Sequence, residues 1–238
     1  MDRSKKSRAV SLGLTAVLFV LAVNLMAPAQ WPPEKTAIKH LQDDTLARKY
    51  CPVIVQDKDI EPEVSHIYYR MGEDESRILI AYHVTWPYEK DESKGIAGAW
   101  DKLFYTGGLK LQKKIFGPED NEVIELAIDK KTGNIIRLRY ESAQVSKTEK
   151  KVKQNHMGTE ETSAELPLYF ETITWNHMFA HIKPDQVSGK QVYKIAPEYF
   201  TQERWGYYQM SKKHQTLLSQ DRAYYNWELL AQTGKDKK

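Results

Sequence analysis

Two carboxylates and three histidines are the residues of this chain best suited, by type and spacing, to do chemistry. Asp120 and Glu122 stand two apart at the head of an alternating run and share parity with Ile124, Leu126 and Ile128. In a strand that parity puts both acids on the apolar face, at its rim, where an unpaired charge is costly. Oxygen donors so spaced suit a hard divalent cation, Ca²⁺ or Mg²⁺. A solvated strand end, with the acids hydrated or paired with lysine, is the competing reading. His177 and His181 are four apart and would face one metal from a short helix, with His83 as a third ligand from elsewhere. Met178-Phe179-Ala180 between them lacks the glutamate of the His-Glu-x-x-His hydrolase pattern. Histidines packed structurally against a sheet also account for the pair.

Other chemistry is thinly represented. Nothing in the chain matches Gly-x-Ser-x-Gly or a P-loop. The single cysteine, Cys51, cannot form an internal disulfide; beside Pro52 and Val53-Ile54-Val55 it reads as a buried thiol. Trp205, Tyr207, Tyr208, Tyr224, Tyr225 and Trp227 make the C-terminal region rich in aromatics. Such rings either pack a helix core or, when exposed, stack on sugars and sit at membrane interfaces.

The elements that must position these residues begin with a leader. Arg3, Lys5, Lys6 and Arg8 precede an apolar run over 9–26, and Ala27-Pro28-Ala29 follows as a small-x-small site. This is the pattern of a secretory signal or a membrane anchor over residues 1–29, either cleaved after Ala29 or retained as a span. The basic flank holds the N-terminus in the cytoplasm and the remainder, one domain over 30–238, outside it. The chain carries 35 Lys and Arg against 32 Asp and Glu; without the leader's four basic residues and Asp2, 31 stand against 31. The folded part therefore offers no electrostatic case for nucleic acid or an anionic surface.

After Trp31-Pro32-Pro33, the spacing predicts a helix over 34–50 ended by Pro52. The period then changes to two, with strands over 53–56, 64–71 and 77–86. The last, apolar on both faces, is expected to be central and covered on both sides. Residues 89–95 read as a solvated loop, and Gly107-Gly108 as a turn. A hairpin follows, with 122–129 and 134–142 flanking Lys130-Lys131-Thr132-Gly133. Residues 145–165 are polar and read as a loop, 166–175 as a strand, 176–182 as a short helix, and about 197–233 as a long amphipathic helix. The order predicts an α+β domain: a mainly antiparallel β-sandwich or curved sheet over about 52–182, with an N-terminal helix and a long C-terminal one.

Three stretches in order carry a family resemblance. Tyr50-Cys51-Pro52-Val53 is similar to a "Tyr-Ala-Pro-Val" opening segment, and Ile80-Ala81-Tyr82-His83-Val84-Thr85-Trp86-Pro87-Tyr88 to an aromatic strand. Asp120 to Asp129 resembles an "Asp-Trp-Glu" strand. The family is that of necrosis-inducing-type proteins and their vacuolar-sorting-associated relatives. The resemblance implies a β-sandwich of lectin-like or membrane-glycolipid-binding ancestry. Against the toxin branch's Gly-His-Arg-His-Asp-Trp-Glu, this chain has Gly117 and Glu119 in place of the histidines and Asn121 in place of tryptophan. It keeps at most part of that cation site. The hairpin Asp129 to Ile136 is also similar to that of small secreted PepSY-type domains.

Three functions are consistent with these readings. The first is an extracytoplasmic binding domain for a glycan, a lipid head group or an envelope partner, held at the membrane by its leader where that is uncleaved. The second is a divalent-metal-assisted hydrolase using Asp120 and Glu122 or His177 and His181. The third is a structural domain of envelope assembly. Convergence of the candidate residues in one cleft separates the second from the others.

Overall fold

From Val53 onward the period-two pattern folds as two packed sheets. The structure, a computed structural model, describes residues 38–89, 118–148 and 151–210, without the side chains of 144–148 and 151–157. The leader, Gly107-Gly108 and residues 211–233 of the expected C-terminal helix lie outside the described residues.

Strand β1 (Lys39–Leu41), helix α1 (Asp44–Tyr50), β2 (Val53–Gln56), β3 (His66–Glu73) and β4 (Arg77–Trp86) come first. After them come β5 (Asp120–Asp129), β6 (Ile135–Thr148), β7 (Lys151–Glu161), β8 (Tyr169–Thr172), β9 (Phe179–Ile182), β10 (Gln191–Tyr193), β11 (Glu198–Tyr199) and helix α2 (Gln202–Tyr207). The larger sheet runs β1-β3-β4-β5-β6-β7, with β11 also on β3; the smaller runs β10-β2-β8-β9. All pairings are antiparallel except β2 with β8 and β11 with β3. The chain is thus a mainly antiparallel β-sandwich with short helices, as the alternation predicts.

The core between the sheets takes Ile80, Tyr82, Val84 and Trp86 from β4, and Ile124, Leu126 and Ile128 from β5. The facing sheet contributes Ile54, Phe170 and Phe179. The opposite face of β4 is covered too: Ala81 joins Tyr68, Val123, Phe200, Trp205, Tyr208 and Met210 in a second cluster. The central, doubly covered strand is confirmed. Arg70 lies within this second layer. Its guanidinium is 4.0 Å from the Trp205 ring, Nε donates to the Phe200 carbonyl and Nη2 to Gln202 Oε1, both at 2.9 Å. A buried cation is tolerated there because a π face and carbonyl oxygens replace its water.

Four boundaries differ from expectation. The helix expected over 34–50 begins only at Asp44, because the Asp43 carboxylate accepts from the Thr45 and Leu46 amides and caps it. Lys39–Leu41 pairs instead with Met71–Glu73. The loop expected over 145–165 is largely strand, with β6 and β7 backbones paired from Leu138↔Glu161 to Thr148↔Lys151. The helix expected over 176–182 is a turn followed by β9. His177 takes φ 58°, a left-handed conformation that ends any helix, and Phe179–Ile182 pairs with Tyr169–Thr172. Near the C-terminus, Glu198–Tyr199 joins β3, and α2 starts only at its Thr201 cap and stops before Gln209, at φ 55°.

The hairpin turn is as expected. Gly133 sits at φ 71°, and its carbonyl accepts a 2.8 Å bond from the Tyr50 hydroxyl. A Cβ there would also lie 3.5 Å from that hydroxyl. Tyr82 reaches the other way, donating to the Ala47 carbonyl at 2.7 Å. These two phenols fasten α1 to the sandwich.

Candidate functional site

Strand register decides which candidate residues meet. Asp120 opens β5 opposite Trp86, the last residue of β4. The turn after β8 is closed by the Thr174 hydroxyl, which accepts from the Met178 amide at 2.9 Å. It lays His177 flat on Trp86, with ring centroids 4.3 Å apart and planes 4° off parallel. His177 Nδ1 then bonds Asp120 Oδ2 at 2.6 Å. The imidazole is 0% exposed, and its Nε2 has no hydrogen-bond partner among the described residues. Trp86 in turn donates from Nε1 to Gln56 Oε1 at 3.3 Å. A carboxylate, an imidazole and an indole thus tie the β8–β9 turn to the mouth of the larger sheet.

The other candidates go elsewhere. Glu122 is buried, on the same strand opposite Val84. His181 Nδ1 bonds Glu161 Oε2 at 2.8 Å, and Glu161 Oε1 accepts from the Tyr140 hydroxyl at 2.9 Å. Burial, and then that carboxylate, pushes the Tyr140 phenol well above its ordinary range. His181 also stacks on Phe170. The two histidines therefore fasten different points of the smaller sheet to the larger one, because a turn and a strand do not superpose residues i and i+4 as a helix would. His83 lies on the opposite face of β4, bonded to Asn121 Oδ1 at 3.2 Å and edge-on to Phe200 and Trp205. Among the described residues, no three His, Cys, Asp or Glu side chains are grouped to hold one ion. Asp120, which a cation would need, is engaged by His177.

An open site lies on the layer that covers the other face of the larger sheet. Glu198, Tyr199, Thr201, Glu203, Arg204 and Tyr207 line a groove of about 530 Å³. Tyr207 is 64% exposed, the most exposed of the large hydrophobic side chains described. Arg204 Nη1 pairs with Glu198 Oε2 at 2.5 Å, both side chains about half exposed. The groove is backed by the second core. Arg204 lies over the Tyr68 ring at 5.0 Å, and Tyr207 meets Tyr208 edge-on at 5.3 Å. The Tyr208 hydroxyl is fixed on Glu119 at 3.0 Å. Tyr199 donates to or accepts from His40 Nε2 at 2.8 Å. Of this set, the sequence singles out only Tyr207, through its aromatic neighbourhood. Glu198 and Arg204 are six apart, and only the passage from β11 into α2 makes them neighbours.

No protein family model matches the chain, and no curated protein matches it. A solved structure titled "Toxin fold for microbial attack and plant defense" is similar over 75% of this chain and 81% of its own, at 14% identity and a TM-score of 0.38. A TM-score that low carries no argument about shared function.

Proposed function

We propose that this chain is a binding domain that works outside the cytoplasm, secreted or held at the membrane by residues 9–26, and that its ligand occupies the groove between β11 and α2. The observation that carries the reading is an exposed tyrosine beside a half-exposed arginine–carboxylate pair, all standing on a rigid aromatic base. Concave sites with a few oriented polar groups are the usual form of a ligand pocket. Side chains already held by Tyr68 and Tyr208 lose little freedom on binding. Asp120 with His177 and His181 with Glu161, by contrast, form separate pairs that each join one sheet to the other, and His83 bonds Asn121 on the opposite face of β4, which favours a binding role over metal-assisted hydrolysis. The test is a thermal-shift screen of the purified chain against soluble glycans, lipid head groups and peptides, repeated with Tyr207→Ala. A ligand that raises the melting temperature of both proteins equally would place binding elsewhere and sink the reading.

A further inference from the structure

Resting on that reading, the chemistry of the groove narrows its ligand to one class: we infer that it takes an uncharged sugar residue, stacked on Tyr207 and hydrogen-bonded by the Arg204–Glu198 pair. Charge excludes the obvious rivals. The Arg204 guanidinium is neutralised by Glu198 at 2.5 Å, and Glu203 adds a carboxylate with no ion-pair partner among the described residues. A phosphate, sulfate or uronate entering the groove would face more acid than base. A purely apolar chain would strand three charged side chains without water.

A pyranose satisfies both sets of constraints. Its hydroxyls each donate and accept, and here N–H donors and carboxylate acceptors stand side by side in one ion pair. Its C–H face is apolar and matches the face of an exposed phenol ring. Tyr207 is fit to be that platform because its ring is set against the edge of Tyr208, interplanar angle 89°, and Tyr208 is packed on Tyr68 and Phe200. Thr201 lines the same groove, and the cap bond of its hydroxyl to the Arg204 amide, at 3.3 Å, fixes the start of α2 beside the ion pair.

The experiment is calorimetric titration of the full-length chain in mild detergent with neutral hexaoses of the cello-, chito-, malto- and xylo- series. Three comparators accompany them: an oligogalacturonate, a sulfated oligosaccharide and phosphocholine. We expect at least one neutral series to bind, the acidic oligosaccharides to bind more weakly, and Tyr207→Ala to lose about tenfold in affinity while Tyr207→Phe keeps most of it. Arg204→Lys should also weaken binding several-fold, since an ammonium cannot offer a guanidinium's fork of five N–H donors to both the carboxylate and the sugar. Tyr207 is exposed, so an unchanged melting curve separates lost binding from lost fold. Neutral sugars that fail to bind at millimolar concentration would overturn the inference. So would tighter binding of the acidic oligosaccharides. Tyr207-dependent binding of phosphocholine in place of sugar would overturn the sugar class and leave the groove reading standing. Sugar binding indifferent to Tyr207→Ala would overturn both.

Discussion

Removing the Asp120 carboxylate tests the reasoning about the sandwich mouth most directly. In Asp120→Ala, the His177 ring stays stacked on Trp86 at 4.3 Å, now with both nitrogens unpartnered in a 0% exposed position. A buried donor left without its acceptor costs about 1–3 kcal/mol, and about 2 kcal/mol is expected here because the lost bond is short and charge-assisted. For a chain of this size that is a fall of roughly 4–8 °C in melting temperature. Asp120→Asn keeps an oxygen that can accept from Nδ1, so its cost should stay below about 1 kcal/mol. Urea unfolding of Asp120→Ala, His177→Ala and the double variant closes a cycle. The expected coupling is about 1–2 kcal/mol, because once either partner is gone the other's removal matters less. Asp120→Ala within about 0.3 kcal/mol of wild type, or strict additivity in the cycle, would refute the link between the sheets.

Arg70→Lys should be nearly as damaging as Arg70→Ala, about 2–3 kcal/mol, because only a planar guanidinium can face Trp205 while bonding the Phe200 carbonyl and Gln202; urea titration followed by tryptophan fluorescence measures it. Raising the pH should destabilise the fold. Burial pushes the Cys51 thiol up to about 12 and the Tyr69, Tyr82, Tyr140 and Tyr208 phenols upward as well, so the unfolded chain loses protons first. Stability should be flat to about pH 8 and fall above the ordinary thiol and phenol ranges, with phenolate absorbance appearing together with unfolding; phenolate formation near pH 10 in an intact fold would count against it. For the same reason Cys51 should resist thiol reagents at pH 8, and rapid stoichiometric labelling would show otherwise. A cation at Asp120 and Glu122 would have to displace His177 from Asp120, and at 100 times its dissociation constant it would add about 2.7 kcal/mol. A melting curve indifferent to millimolar Ca²⁺, Mg²⁺ and chelator removes that cation site.

Period-two alternation was legible in the longer strands that bury side chains, which is why Arg77–Trp86 came out to the residue and why its two covered faces could be read from Leu79, Ala81 and His83 as well as from Ile80 and Tyr82. It failed where backbone pairing forms without an apolar stripe in the sequence. Lys151–Glu161 pairs along its length with β6, yet Lys151, Lys153, Gln154 and Asn155 give no hydrophobic signal. Its partner's hydrogen bonds make it a strand, and those come from the preceding arm of the same hairpin rather than from any apolar pattern in 151–161 itself. The helix over 34–50 was overextended for a different reason. Ile38 and Leu41 keep helical spacing with Leu46, and the Asp43-Asp44 pair that starts the real helix reads equally well as two charges on its polar face.

Sequence spacing suggested partnerships among the candidate residues that the structure does not make, and one backbone angle explains much of the difference. His177 and His181 at i and i+4 meet only if 177–181 is helical. At φ 58° His177 instead turns the chain into β9, which swings its ring onto Trp86 and sends His181 down a strand toward Glu161. A non-glycine residue held at positive φ costs about 1 kcal/mol or more, so something must repay it locally. The repayment is visible: the stack on Trp86, the bond to Asp120 and the Thr174 hydroxyl on the Met178 amide all depend on that conformation. None of these partners lies within 55 residues of His177 except Thr174, so no local spacing rule could have announced them. The same logic governs the groove. Tyr207 was conspicuous as an aromatic, but whether it would face water was decided by Trp205 and Tyr208 taking the buried positions on either side. Trp205 and Tyr208, three apart, share the buried side of this short helix and its cap, which turns Gly206 and Tyr207 toward solvent.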